Sequence, residues 1–288
     1  MLADTGFFGP DTELWHVLRE RSVVMGGMRA LLMHGAHPLV AAAAASTGLY
    51  ENDSMRRHER TLRLTFTLIF GSRSEARVAA AHINTTHRSV RGVDSRTGLS
   101  YDARDPELML WVHASLISSF LLFESLTVGR LDAAGRQRFH EEATVMAGLL
   151  GLPASRIPRL AGDLDAWIEA TINSGILRSS PSSQRLSEVM RAKAAGADGY
   201  RSRAPGYLAL HTLPATARHL YGISHDRSDD RKVAALSAAI RIYRPTLPSR
   251  ARFIGPAVCA YARLRGEEAS VPEAAVLPRR WRTESDAY

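Results

Sequence analysis

The stretch over residues 105–126, DPELMLWVHASLISSFLLFESL, decides the fold of this chain. Asp105 can cap the free amides of a helix, and Pro106 suits the first helical position, where no amide donor is needed. The charge-free part of this stretch is about sixteen residues long and contains His113, so it falls short of the roughly 20 residues of a membrane span. We therefore predict a buried central helix over residues 106–126.

Apolar residues recur at helical spacing on both sides of this helix, whereas alternating β-branched runs and Asn-Gly hairpin signals are absent. The predicted class is all-α, as one globular domain of about ten helices over residues 1–265. Residues 266–288 are mixed in composition and are predicted to form a loosely ordered tail. Besides the central helix, we predict helices at about 12–21, 24–45 with an interruption at Pro38, 52–70, 72–91, 132–149, 157–173, 187–195, 214–220, 228–243 and 248–265.

The composition is that of a soluble globular protein, with 45% hydrophobic and 23% charged residues among 288. Cys259 is the one cysteine, which excludes an intramolecular disulfide and fits a reducing compartment, so we expect a cytoplasmic protein. The beginning of the sequence lacks the pattern of a secretory signal. The net charge of +8 comes mostly from arginines scattered among acids. We expect neither nucleic-acid binding nor stable membrane insertion.

Arg57, Arg60 and Thr61 share one stripe of the third predicted helix, because they fall at positions i, i+3 and i+4. One stripe with two cations and a hydroxyl can face a single anionic or oxygen-bearing ligand. Alternatively, the arginines lie in water and pair with Glu59 or Asp53, while Thr61 bonds back to its own helix.

Histidines occur on several apolar helix faces. His87 follows Ala79 and Ile83 on one face of the fourth helix, where a buried imidazole would be neutral and able to bind a metal. The alternative is a core histidine with its hydrogen bonds satisfied, and His82 and His113 are similar candidates. His37 precedes Pro38, at a helix interruption where it could line a pocket or cap carbonyls that the proline leaves free.

Other chemistries lack their motifs. The sequence contains no His-Glu-x-x-His, no glycine-rich phosphate loop and no Gly-x-Ser-x-Gly elbow. A helical di-iron site needs Glu-x-x-His on two helices, and this chain has it once, at Glu13 to His16. A helical body with several histidines and arginines that can face inwards instead suits a haem, with an imidazole ligand and arginines for the propionates.

The chain resembles the MpaB-like oxygenases and the latex clearing protein (rubber oxygenase) catalytic domain, in a series of motifs that extends from Gly6 to Arg265. Each motif is weak alone, and their number and order make the resemblance specific. The matching segments are Gly6-Phe7-Phe8-Gly9-Pro10-Asp11, Gly26-Gly27-Met28-Arg29-Ala30-Leu31-Leu32-Met33, Ala36-His37-Pro38, Arg57-x-x-Arg60-Thr61, Phe70-Gly71, His87-x-x-Val90-x-Gly92, Tyr101-x-Ala103-x-Asp105-Pro106, Trp111-Val112-His113, Leu220-Tyr221-Gly222 and Leu247-Pro248.

This resemblance implies an all-helical, globin-like core around haem b, with a helix-borne histidine as the iron ligand. His87 is the position that best matches this ligand. Trp111 and His113 are candidates for the wall of the haem pocket, with ordinary core residues as the alternative. Arg57, Arg60 and Thr61 match positions near the distal side. Arg57 would anchor a propionate or polarise the distal pocket, and Arg60 with Thr61 would orient the oxygen species. His37 is expected to line the same pocket.

Two departures from the family pattern concern the proposed chemistry. Arg60 stands where the family has a lysine, and a guanidinium stays protonated, so it cannot close the sixth coordination position of iron. We therefore expect an open or water-bound distal side. The family's catalytic acid should precede Arg57, where this chain has alanines over residues 41–45 and no acid until Glu51. Rubber-type dioxygenation is accordingly not expected here.

The resulting hypothesis is a haem b-dependent oxidoreductase that oxidises a small or medium organic molecule with dioxygen or peroxide. Two alternatives remain open from the sequence. The first is a haem-binding or ligand-binding protein without catalysis. The second is a basic helical bundle without a cofactor, binding nucleic acid or a membrane surface.

Overall fold

The helices follow one another with few long connections. A computed structural model describes residues 4–47, 54–197 and 199–267, and it leaves the side chains of residues 54–61 and 200–202 outside the description. The helices are α1 Glu13–Leu18, α2 Arg21–Val24, α3 Gly26–Ala36, α4 Pro38–Ser46, α5 Ser54–Phe70, α6 Arg73–Ser89, α7 Pro106–Thr127, α8 Ala133–Leu149, α9 Ala161–Asn173, α10 Pro181–Ala195, α11 Tyr200–His211, α12 Ala215–Leu220, α13 Arg227–Tyr243, α14 Ser249–Arg252 and α15 Gly255–Arg265. The strands are β1 Arg91–Val93 and β2 Ser100–Asp102.

The predicted central helix is α7, and it begins as expected. The Asp105 carboxylate accepts the amide of Glu107 at 2.8 Å, and Pro106 occupies the first helical position. Helices α2, α3, α9 and α13 pack against α7. Among the described residues α7 is also the one helix long and apolar enough to cross a membrane, but 72% of its most apolar window is buried within the protein. The all-α class is confirmed.

The helix predicted over residues 24–45 is two helices, and the break falls at His37. Its backbone is extended (φ −86°, ψ 119°), because a residue before proline avoids the helical region. Pro38 then opens α4, and the carbonyl of Ala36 accepts the amide of Arg178 at 2.8 Å. The interruption is therefore a complete break between two helices, and a hydrogen bond from another part of the chain stabilises it.

Helices α5 and α6 form the hairpin expected from Gly71. They are joined by two residues, and the Ser72 side chain caps α6 in a reciprocal pair with Glu75. Because the two helices pack against each other and run in opposite directions, the first half of α5 lies beside the last half of α6. Arg57, Arg60 and Thr61 are in that first half, and His87 is in the last turn of α6.

The prediction that α6 extends to residue 91 is wrong, because β1 begins there and pairs antiparallel with β2. Gly92 lies opposite Tyr101, and a Cβ at Gly92 would come within 2.8 Å of the Tyr101 hydroxyl. A side chain at this position would therefore need the Tyr101 ring to move aside. Strands of three residues carry too little alternation to be predicted from sequence.

Other predicted boundaries also need correction. Helix α10 begins at Pro181, where a loop was expected, because Ser180 caps it by accepting the amide of Ser183 at 3.1 Å. Helix α11 was not predicted, since Pro205 and Gly206 interrupt its helical pattern. Helix α9 begins at Ala161, and the predicted last helix is divided into α14 and α15. From residue 268 onwards, the predicted tail lies outside the described residues.

A buried carboxylate connects the first helices with the helices after residue 243. Glu20, just before α2, is 2% exposed and accepts hydrogen bonds from Arg244 at 2.9 Å and from Arg252 at 2.5 Å. The amide of Ile254 also donates to the carbonyl of Arg19 at 2.9 Å. These contacts attach the C-terminal helices α14 and α15 to the first helices.

Candidate functional site

His87 lies in the last turn of α6 and is half-buried. Its Nδ1 is buried and has no hydrogen-bond partner among the described residues. Burial lowers the pKa of His87, and the Asp102 carboxylate acts in the opposite direction. The ring is thus held in its neutral form near neutral pH, and one nitrogen is available for a ligand.

His37 occupies the break between α3 and α4 and is 5% exposed. Burial lowers its pKa to about 4, opposed by the Asp105 carboxylate. Its Nδ1 is buried and has no partner in the described part of the chain, so capping of freed carbonyls through this atom is not observed. The ring instead packs beside Trp111, with 6.1 Å between the ring centroids.

His37 and His87 are connected through one turn after β2. Asp102 acts electrostatically on His87, and Asp105, three residues later, acts on His37. The amide of Asp105 donates to the carbonyl of Asp102 at 2.9 Å, and the amide of Ala103 donates to the carbonyl of Val90. The structure therefore brings these two predicted residues to the same short hairpin.

A cleft of about 360 Å³ opens beside His37. This volume lies within the usual range for small-molecule sites, and aromatic side chains with a few polar groups are the typical lining. The ring of Trp167 on α9 lies 6.4 Å from that of Trp111, centroid to centroid. The lining residues are His37, Glu107, Trp111, Trp167, Ala170, Thr171, Ser174 and Ile176.

Trp111 and His113 do not share one wall. Trp111 is 1% exposed, donates from Nε1 to the carbonyl of Met33 at 3.2 Å and lines the cleft. His113 is absent from that lining; its pKa is lowered to about 4 by burial and by the neighbouring His140. Its Nε2 is buried without a partner among the described residues. The two residues therefore belong to different surroundings, although they are two positions apart.

The side chains of Arg57, Arg60 and Thr61 lie outside the described residues. Their backbone belongs to α5, and the α5–α6 hairpin runs this part of α5 alongside His82 and His87. Glu51, the first acid after the alanine run, lies outside the described residues altogether. Within the described part, the carboxylate that lines the cleft with His37 is Glu107, which pairs with Arg156 at 2.5 Å.

Sequence reasoning did not single out Glu107, Trp167 or Arg29. Glu107 and Trp167 face the cleft from helices far apart in sequence, so no spacing pattern indicates them. Arg29 is 7% exposed and donates to Ser119 Oγ at 2.7 Å and to the carbonyl of Thr212 at 3.0 Å. Burial lowers its pKa to about 10. Its helical neighbours are apolar or glycine, which is the one signal that could have indicated an inward-facing cation.

Comparison with protein families identifies a match. The model of the family described as "ER-bound oxygenase mpaB/B'/Rubber oxygenase, catalytic domain" matches residues 14–242 of the chain. No curated protein and no solved structure matches significantly. The matched range includes His37, the α5–α6 hairpin, His87 and the cleft.

Proposed function

The chain belongs to the MpaB and rubber oxygenase catalytic-domain family, and on that premise we propose that it is a haem b-dependent enzyme that oxidises a small or medium-sized organic molecule with dioxygen or peroxide. The family match supports an oxygenase-type activity with a small-molecule substrate. The haem, its ligand and the position of the substrate are parts of our proposal.

His87 is the residue that we propose as the iron ligand. The observation that carries this proposal is its buried Nδ1, which has no partner among the described residues. A buried polar atom without a partner costs free energy unless something binds it, and a neutral imidazole is the form that ligates iron. When bound, a haem supplies the redox-active iron at which dioxygen or peroxide reacts.

The first half of α5 would complete the haem site. Because α5 and α6 form a hairpin, the part of α5 that contains Arg57, Arg60 and Thr61 runs alongside the end of α6 that carries His87. Arg57 would pair with a haem propionate, since guanidinium and carboxylate form strong charge-assisted hydrogen bonds. Arg60 and Thr61 would donate hydrogen bonds to an oxygen-bearing ligand or substrate.

The cleft beside His37 is the position that we propose for the organic substrate. Trp111 and Trp167 supply apolar surface that excludes water, and Thr171 supplies a hydroxyl for orientation. His37 is neutral at pH 7, because burial lowers its pKa to about 4, so its ring can accept a hydrogen bond from a bound molecule.

An absorption spectrum tests the cofactor. The full chain, produced with a haem precursor in the medium, is expected to show a Soret band and one haem per chain by pyridine haemochrome assay. A chain that folds by circular dichroism but takes up no haem would reject the proposal and favour the cofactor-free helical bundle. If haem is bound, incubating the reduced protein with oxygen or peroxide and candidate substrates separates an enzyme from a haem-binding protein without catalysis.

The cleft is tested separately by Trp167→Ala. Loss of one aromatic wall should raise KM for an organic substrate while leaving the haem spectrum unchanged. Val189→Ala on the exposed side of α10 is a suitable control, because Val189 lies outside the cleft lining. Equal KM values for Trp167→Ala and the wild-type protein would contradict this position for the substrate.

A further inference from the structure

A second group of potential metal ligands lies away from the cleft, where α11 ends and α13 begins. His211 is the last residue of α11, His225 lies in the connection before α13, and Asp229 is in the first turn of α13. One ligand atom from each residue can be chosen so that all three lie within 4.8 Å of one another. It is the one group of three such residues found in the described part of the chain.

The distances within this group suit a tetrahedral ion. Nδ1 of His211 and Nδ1 of His225 are 3.2 Å apart, and Asp229 Oδ1 is 3.8 Å from His211 Nδ1. Two nitrogens bound to tetrahedral zinc at about 2.0–2.1 Å are roughly 3.3–3.4 Å apart. A small movement of the carboxylate towards the two rings would bring the third ligand into place.

Neighbouring groups hold the ligands in position. Nε2 of His225 is 2.8 Å from Asp230 Oδ1, and a proton shared in this contact leaves the His225 Nδ1 lone pair directed at His211. Such a carboxylate behind a histidine is the usual outer partner in protein metal sites. The Tyr207 hydroxyl donates to Asp229 Oδ1 at 2.5 Å, and its ring stacks on His211 with 4.1 Å between centroids.

The charges around the group partly favour a cation. The Asp229 carboxylate supplies the negative charge among the three ligands, and its other oxygen, Oδ2, accepts the amide of Asp226 at 2.9 Å. The Lys232 ammonium, 3.9 Å from Asp229 Oδ1, opposes a cation, but it is 60% exposed and its long side chain can move away.

We propose that His211, His225 and Asp229 bind one divalent transition-metal ion of the zinc class, which links the end of α11 to the start of α13. Two imidazoles and one carboxylate are ligands that zinc accepts, with water or a small anion in the fourth position. This site is independent of the proposed haem. The competing arrangement is a metal-free network in which His211 Nδ1–H donates to His225 Nδ1.

Titration of the tag-free, haem-free chain with Co²⁺ tests the proposal, with Zn²⁺ added afterwards as competitor. We expect the d–d absorption of tetrahedral Co²⁺ at one ion per chain and its loss on addition of Zn²⁺. His225→Ala should abolish this absorption, and Asp230→Asn should weaken Zn²⁺ binding by about 10–100-fold in isothermal titration calorimetry. Lys232→Gln should strengthen binding, because it removes the opposing charge.

His219→Ala is the matched control, because His219 is exposed on α12 between the same two helices. It should bind both ions like the wild-type chain. The proposal is overturned if the wild-type chain shows no stoichiometric binding, or if His225→Ala and His219→Ala bind Co²⁺ equally. Circular dichroism in EDTA checks the fold of each variant. If His225→Ala does not fold, Asp230→Asn and Lys232→Gln decide, and unchanged binding in both overturns the proposal.

Discussion

The amide of Asp105 donates a hydrogen bond of 2.9 Å to the carbonyl of Asp102, and this turn brings one carboxylate to each of two histidines. Asp102 acts on His87, and Asp105 acts on His37. The hairpin of β1 and β2 therefore connects the proposed iron ligand with the cleft. A distortion of this hairpin should therefore affect both His87 and the cleft beside His37, although we assign no catalytic or binding role to a residue of either strand.

Gly92→Ala should destabilise this hairpin. The new Cβ would lie 2.8 Å from the Tyr101 hydroxyl, and because this half-buried ring can shift, we expect a loss of about 1 kcal/mol, at the low end for an overpacked site. Urea unfolding monitored by circular dichroism measures the loss. The double variant Gly92→Ala/Tyr101→Ala removes the clash. Its loss of unfolding free energy should therefore be smaller than the sum of the losses in the two single variants. Strictly additive effects would show that the close approach is not what requires glycine.

Glu20→Gln should lower the free energy of unfolding by about 2–4 kcal/mol, because it leaves Arg244 and Arg252 without their buried counter-charge. The same urea experiment measures the change. Asp165→Asn is the control, since Asp165 pairs with Arg136 at an exposed position, where an ion pair contributes about 0–1 kcal/mol. Similar losses in both variants would contradict the structural role of Glu20.

His113 should make stability depend on pH. Burial lowers its folded-state pKa to about 4 from an ordinary value of 6.5, so the unfolded chain binds more protons between these values. The contribution of neutral His113 is fully present above pH 6.5 and is lost as the pH falls towards 4. The loss of stability from this group amounts to about 2 kcal/mol at pH 5 relative to high pH.

His113→Leu should therefore lose less stability than the wild-type chain between pH 7.5 and pH 5, as measured by urea unfolding at both values. His219→Ala, at an exposed position, should keep the wild-type dependence. A pH dependence that is unchanged in His113→Leu would mean that this imidazole does not stay neutral in the folded protein.

Arg60→Lys tests the departure from the family pattern. If α5 faces the haem as proposed, a deprotonated lysine at this position can ligate iron, which a guanidinium cannot. The absorption spectrum of the ferric protein should then shift towards a six-coordinate low-spin form. Arg63→Lys, one turn further along α5, should leave the spectrum unchanged. An unaltered spectrum in Arg60→Lys would place residue 60 away from the iron.

The helices that the sequence predicts best are those whose ends are marked by capping residues or prolines. Helix α7 was placed correctly because Asp105 and Pro106 mark its start, and the break at Pro38 follows from the missing amide donor. The β hairpin after His87 was missed, since strands of three residues carry too little alternation to be recognised in the sequence. The start of α10 at Pro181 was missed because its serine-rich first turn resembles a loop.

The candidate site was predictable only in part. His37 and His87 could be proposed from the sequence because each lies in a recognisable motif, but their connection through the Asp102–Asp105 turn is a property of the folded chain. Glu107 and Trp167 meet beside His37 from α7 and α9, and His225 meets His211 across fourteen positions of chain. No local pattern encodes such contacts, because tertiary packing determines them.

The central claim is that His87 holds the iron of a bound haem, and the Soret band of His87→Ala tests it most directly. The band should be lost or strongly diminished in His87→Ala and should persist in His82→Ala and His113→Ala, with all three variants folded by circular dichroism. A Soret band that persists in His87→Ala and disappears in His82→Ala or His113→Ala would contradict the assignment.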